Sequence, residues 1–150
     1  MQLIKDNKII DNSWHYVAED STPSAGDITV SLPRWEAEKA QLLNHTGKLG
    51  VRLVPGDALD TLAADLENIQ LIELDFPDLA DGRLFSLAWM LRSRYGYQGE
   101  LRATGSYVAE QVFYLSRVGV NAFVPQKPDD LPAILSCLND FSAHYQASIN

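Results

Sequence analysis

Cysteine is almost absent from this chain of 150 residues. The lone Cys137 closes no internal disulfide, and alone it supplies neither a four-cysteine iron–sulfur cluster nor a usual structural zinc site. Histidine is scarce too: His15, His45 and His144 share no metal-ligand spacing. No apolar run is long enough to span a bilayer, and the first residues lack the apolar stretch of a signal peptide. A cytoplasmic protein with no membrane partner is expected. Basic residues are few, 12 Lys and Arg against 20 Asp and Glu, so the net charge of -8 opposes sequence-independent nucleic-acid binding. Also missing are a Gly-x-Gly-x-x-Gly fingerprint, a Walker loop and a Gly-x-Ser-x-Gly elbow. The composition names no cofactor.

What basic charge there is clusters. Between Lys48 and Lys127 there is no lysine, yet Arg83, Arg92, Arg94, Arg102 and Arg117 fall within 35 residues that hold only Glu100 and Glu110 as acids. Arginine offers a rigid fork of donors suited to carboxylates and oxyanions. Arg92 and Arg94, near a helix C-terminus, read as solvated residues that complement the dipole. Arg83 and Arg102 invite a further role.

The centre of the chain reads as strand, helix, strand. Leu71 to Phe76 and Glu100 to Thr104 flank an amphipathic run in which Leu84, Leu87, Ala88, Leu91 and Tyr95 recur at helical spacing. Asp81 serves as its N-cap and Gly96 as the residue that ends it. Similar units surround this one. Val51–Val54 precedes a helix capped by Asp57, with Leu59, Leu62, Ala63 and Leu66 on one stripe. Ser106 caps a helix with Val108, Val112 and Leu115. Ala122–Val124 precedes a final helix carrying Leu131, Ile134, Leu138, Phe141 and Tyr145. Cys137 lies beside that stripe as a small core residue. The fold class expected is α/β, with four consecutive βα units forming a parallel sheet, half-barrel-like or doubly wound. One domain spans residues 1–150. Residues 1–32 form a small N-terminal β element with a hairpin at Asp6-Asn7, and 50–146 form the repeat core. Pro33 suits the first turn of a helix from Arg34 to about His45.

Three strands break the apolar run that a doubly covered parallel strand should show. Arg52, Glu73 and Arg102 sit mid-strand, and Asp75 and Thr104 share their faces. Buried charges need partners. Either Glu73 pairs with Arg102 across the sheet, or these groups line a solvated cleft, as a half-barrel's concave face would provide. The candidate ligand-binding set is Asp75, Asp81, Arg83, Arg102, Thr104, Gly105 and Ser106, at the carboxyl ends of the strands, where α/β sheets bind ligands. Asp78 has an ordinary use in a turn. Free N–H groups at Gly105-Ser106 with Arg83 as the cation suit a small oxyanion, unless Asp81 neutralises Arg83 and leaves the pair structural. No metal site is assigned. An exposed concave or edge surface argues for a homodimer or a hetero-complex.

The motifs Asp75-Phe76-Pro77, Asp81-Gly82-Arg83, Leu91-Arg92, Arg94-Tyr95-Gly96-Tyr97 and Gly99-Glu100-Leu101-Arg102-Ala103, with Phe113-Tyr114 and Ala122-Phe123, carry a resemblance. The chain resembles a bacterial family of unknown function encoded beside sulfate- and sulfite-assimilation genes, commonly labelled as oxidoreductases or sulfite-reductase-associated proteins. The likeness covers roughly residues 30 to 145. Glu110 stands where relatives carry Asp, and Val118 where relatives carry Cys, so no cysteine mechanism operates at that position. The resemblance implies an accessory role in assimilatory sulfite reduction within cysteine synthesis, with sulfite reductase as partner. The alternative is a small-oxyanion-binding protein or an oxidoreductase that uses the rim.

Overall fold

The computed structural model describes residues 1–77 and 82–139. Asp6 and Asn7 both adopt positive φ, 51° and 66°, so a two-residue turn joins β1 (Gln2–Lys5) to β2 (Lys8–Asp11) as a hairpin. Six further strands follow: β3 (His15–Tyr16), β4 (Ile28–Ser31), β5 (Leu49–Leu53), β6 (Leu71–Phe76), β7 (Glu100–Gly105) and β8 (Ala122–Phe123). All eight lie in one sheet, ordered β2-β1-β8-β7-β6-β5-β4-β3. From β3 to β8 every neighbouring pair is parallel. The hairpin joins antiparallel, through Ile4 opposite Phe123 and Lys5 opposite Ala122. The sheet is therefore mixed, not purely parallel. A two-residue turn fixes β1 and β2 antiparallel to each other, so no docking of this hairpin could leave an all-parallel sheet. The N-terminal β strands form no separate layer, since β1–β2 extends one edge and β3–β4 the other.

Chain geometry makes the sheet curl. β2 and β3 stand at opposite edges, which a flat eight-stranded sheet would hold about 34 Å apart at ~4.8 Å per strand. Yet Asp11 and His15 are consecutive strand ends in the sequence, and four Cα steps reach at most about 15 Å. The result is a half-barrel. Strands β4 to β8 add in sequence order without a reversal, so the doubly wound alternative is excluded.

Helices α1 (Leu32–Leu42), α2 (Gly82–Ser93), α3 (Val112–Arg117) and α4, described over 131–139, follow β4, β6, β7 and β8. The expected helix at 57–66 is absent. Asp57 closes a tight turn by accepting the Val54 N–H at 2.8 Å, and only a 3-10 segment, Ala63–Asn68, follows. Four regular βα units after Gly50 are thus not what forms. The core lies between the helices and the outer face of the sheet: Trp35, Leu84, Leu87, Leu91, Val112, Leu115 and Ile134 meet Val30, Val51, Leu53, Ile72, Leu74, Phe76, Leu101 and Phe123. Residues of opposite parity, among them Thr29, Arg52, Glu73 and Arg102, face inward. Phe141 and Tyr145 lie outside the described residues.

Arg92 is no solvated surface residue. It is half-buried and donates to carbonyl oxygens of three residues: Gly119 at 3.0 and 2.8 Å, Tyr97 at 2.8 Å and Gly99 at 2.8 Å. One planar guanidinium thereby ties the end of α2 to the loops entering β7 and β8. Arg94, two residues on, is exposed as expected. Gly96 ends the helix region in the left-handed conformation, φ 65°. Lysine cannot reproduce the fork. Arg92→Lys is expected to cost about 2 kcal/mol, the scale of charge-assisted hydrogen bonds, measured as a shift in urea midpoint at unchanged slope. An unchanged midpoint would show that water replaces the clamp.

Candidate functional site

The connection from β2 to β3 starts at Asp11, near the carboxyl end of β8, and ends at His15, which pairs with the first residue of β4. It is held by Asn12, whose Oδ1 accepts from the Trp14 N–H at 2.9 Å and from Arg102 Nη1 at 3.0 Å. Under this strap lies a cavity of about 420 Å³, lined by Asn12, Trp14, Tyr16, Arg52 and Glu73 on one side and by Thr104, Gly105 and Gln126 on the other. Its volume is in the range of small-molecule sites, and it sits where parallel sheets bind ligands. A larger cavity, about 540 Å³, opens at the other end of the strands beside Leu66, Ile69, Tyr95 and Tyr97. Among the described residues no ion pair converges there, and the Tyr97 hydroxyl is already spent on the Ile69 carbonyl at 2.9 Å. We take the mouth as the site.

Alternation along β5, β6 and β7 places Arg52, Glu73 and Arg102 in one inward row, each opposite the next. Their ion pairs differ from the expected Glu73–Arg102 bridge. Arg52 Nε donates to Glu73 Oε1 at 3.1 Å. Arg102, 2% exposed, turns to Glu100 on its own strand, with Nε and Nη2 at 2.7 and 2.6 Å from Oε2. Lys5 adds a 3.2 Å contact to the other Glu100 oxygen. Two basic residues therefore compete for two acids, and each guanidinium finds the closer one. With Nε, Nη1 and Nη2 all engaged, Arg102 is a strut beneath the strap, and its burial keeps the remaining N–H groups from a ligand.

Arg52 is different. Its guanidinium carbon lies 3.9 Å from the centre of the Tyr16 ring, and its Nε is held by Glu73. Among the described residues no acceptor meets Nη1 or Nη2. The side chain is 22% exposed, so the fork is fixed from behind and open in front. Burial pushes the Tyr16 hydroxyl pKa up, against the pull of Arg52, so the phenol stays protonated.

Asp75, Thr104, Gly105 and Ser106 gather at this end. Asp75 pairs in register with Thr104, and its Oδ1 would lie 2.8 Å from a Cβ placed on Gly105. Ser106 Oγ accepts from Gln126 Nε2 at 3.2 Å. The helix expected at Ser106 starts later. A 3-10 turn covers Ala109–Gln111 before α3, and the Ser106 N–H is bound to the Phe76 carbonyl at 2.7 Å. The cause is Tyr107, which needs extended backbone to bury its ring beside Phe76 and Phe123 and to donate its hydroxyl to the Val124 carbonyl at 2.6 Å. The junction therefore offers no row of free helix amides for an anion. Arg83 is exposed in the first turn of α2 and does not line the mouth. Asp78 and Asp81 lie outside the described residues.

Arg52 and Glu73 stand out in the sequence as mid-strand charges but fall outside the ligand set drawn from it, and no sequence pattern marks Trp14 as a site residue. Asn12, Tyr16 and Gln126 were missed. They arrive from segments remote in sequence, and no local pattern marks them. Inward parity with Glu73 was the one signal that could have added Arg52.

No described helix is long and apolar enough to cross a membrane. A comparison with curated proteins gives no match. A family pattern matches residues 50–150, which hold Arg52, Glu73, Asp75, Thr104 and Gln126 but not the strap. With strands β6, β7 and β8 and most of β5 inside the matched stretch, the chain belongs to the family described as bacterial protein of unknown function (DUF934).

Proposed function

We propose that this protein is an accessory component of assimilatory sulfite reduction that binds a small oxyanion-bearing ligand at the mouth of the half-barrel. The pathway rests on the resemblance carried by residues 72–123. Support for contact with sulfite reductase comes from Trp89 and Tyr114, 54% and 60% exposed on α2 and α3, since exposed aromatics of this kind anchor protein interfaces.

The ligand half rests on one observation, the open fork of Arg52. A guanidinium whose Nε and ring-stacked face are occupied has lost its freedom before a ligand arrives. Its two outer nitrogens then match a carboxylate, sulfite or sulfate group in a bidentate pair. This assigns the cationic role to Arg52 in place of Arg83. Titration of sulfite, sulfate and propionate by calorimetry tests it. Binding of at least one anion is expected in the wild type, its loss in Arg52→Met, and its retention in Arg83→Ala. Equal heats in the wild type and Arg52→Met, or none in any protein, would reject the site.

A further inference from the structure

Beside the open fork stands a carboxylate with nothing to hold. Asp75 points inward from β6, two residues beyond Glu73, and is half-buried. Among the described residues it has no hydrogen-bond or ion-pair partner. Glu73, by contrast, is committed to Arg52. Asp75 is not among the residues that line the cavity, but its Oδ1 stands beside Gly105, which is, so a spare anion lies at the rim of the mouth that holds the open fork. Asp75 lies two steps, about 6.6 Å, along β6 from Glu73, which holds Arg52, a spacing that suits one carbon atom carrying an anionic group on one side and a cation on the other.

Resting on the reading of the mouth as an anion site, we infer that its ligand is an α-amino acid, with the carboxylate on Arg52 Nη1 and Nη2, the ammonium on Asp75, and the side chain toward Trp14. Charge balance favours this over a bare anion. A free dianion at Arg52 would meet Glu73 and Asp75 at close range, and like charges in a partly desolvated cleft repel. A zwitterion adds no net charge and satisfies both spare groups. Trp14 supplies an apolar wall, while Thr104 and Gln126 supply neutral polar contacts.

A matched pair of probes isolates the ammonium. L-Alanine and propionate share size and carboxylate and differ in the amino group. Alanine is expected to bind about tenfold more tightly than propionate to the wild type, the scale of one partly desolvated charge-assisted contact. Asp75→Asn is expected to erase that ratio while propionate binding persists, and Arg52→Met to abolish both. Asp75 holds no described hydrogen bond, so the amide variant keeps the fold, checked by an unchanged melting temperature. Equal affinities in the wild type, or a ratio unchanged by Asp75→Asn, would overturn the amino-acid assignment and leave the anion site standing. Absence of binding by either probe would overturn the amino-acid assignment, and the anion site falls with it when sulfite and sulfate also give no heat.

Discussion

Replacing Arg102 with Met is expected to lower stability by about 3–5 kcal/mol, the usual result of breaking a buried ion pair from one side. The methionine keeps most of the apolar stem and removes the charge. Glu100, whose side chain is 9% exposed, then retains only the 3.2 Å contact to the half-exposed Lys5. Asn12 Oδ1 loses one of its two donors, while the strap keeps its backbone ties, the Asn12 N–H to the Met1 carbonyl at 2.8 Å and the His15 N–H to the Asp27 carbonyl at 3.1 Å. The loss is read from the denaturant midpoint. A double-mutant cycle identifies the partner: Arg102 couples to Glu100 and not to Glu73, whose bond runs to Arg52. An unchanged midpoint in Arg102→Met would mean that the strut carries no weight. Coupling to Glu73 instead would restore the bridge expected from sequence.

That pair shows what a sequence can and cannot carry. Alternation along a strand fixes which face a side chain takes, so Arg52, Glu73 and Arg102 could be placed together on the inner face before any coordinates. Choice among several partners on one face depends on sheet curvature and side-chain reach, and alternation is blind to both. The hairpin at Asp6-Asn7 was legible because positive φ is a local demand on two residues. The helix expected at 57–66 failed although its apolar period was correct. Leu59 and Leu62 are buried as that stripe required, but Asp57 folds back onto Val54 and Gly56 turns at φ 94°. Periodicity reports burial, and turns can bury the same residues.

Arg92 and the strap were illegible for a different reason. The acceptors of Arg92 are backbone carbonyls of Tyr97, Gly99 and Gly119, and every residue has a carbonyl. Nothing in the side-chain sequence marks where three of them will converge. The strap could be placed only after the strand order was known. Once β2 and β3 stand at opposite edges, the three residues joining them must span from one edge of the curled sheet to the other. Half of the candidate site thus follows from connectivity, and the other half from strand parity.

The second large effect is expected at the junction where β7 meets the mouth. Gly105→Ala should cost about 3–5 kcal/mol, combining a left-handed backbone penalty with overpacking. Gly105 adopts φ 86°, and a Cβ there would stand well inside contact distance of the Phe76 carbonyl oxygen and 2.8 Å from Asp75 Oδ1. Neither neighbour can retreat cheaply. The Phe76 carbonyl accepts the Ser106 N–H at 2.7 Å, and its ring is fixed against Phe85 and Tyr107. Gly96 provides the control. It also has positive φ, 65°, but a Cβ there meets nothing within 4 Å. Gly96→Ala should therefore lose only the backbone penalty, about 1–2 kcal/mol. Thermal denaturation of the two variants separates the contributions. A clearly larger loss at Gly105 means that β6 and β7 approach too closely there for any side chain, which holds Asp75 in place at the rim. Equal losses would mean that backbone conformation alone selects glycine and that the rim can widen. In that case Gly105→Ala would bind mouth ligands as the wild type does, whereas a tight junction predicts that it loses them.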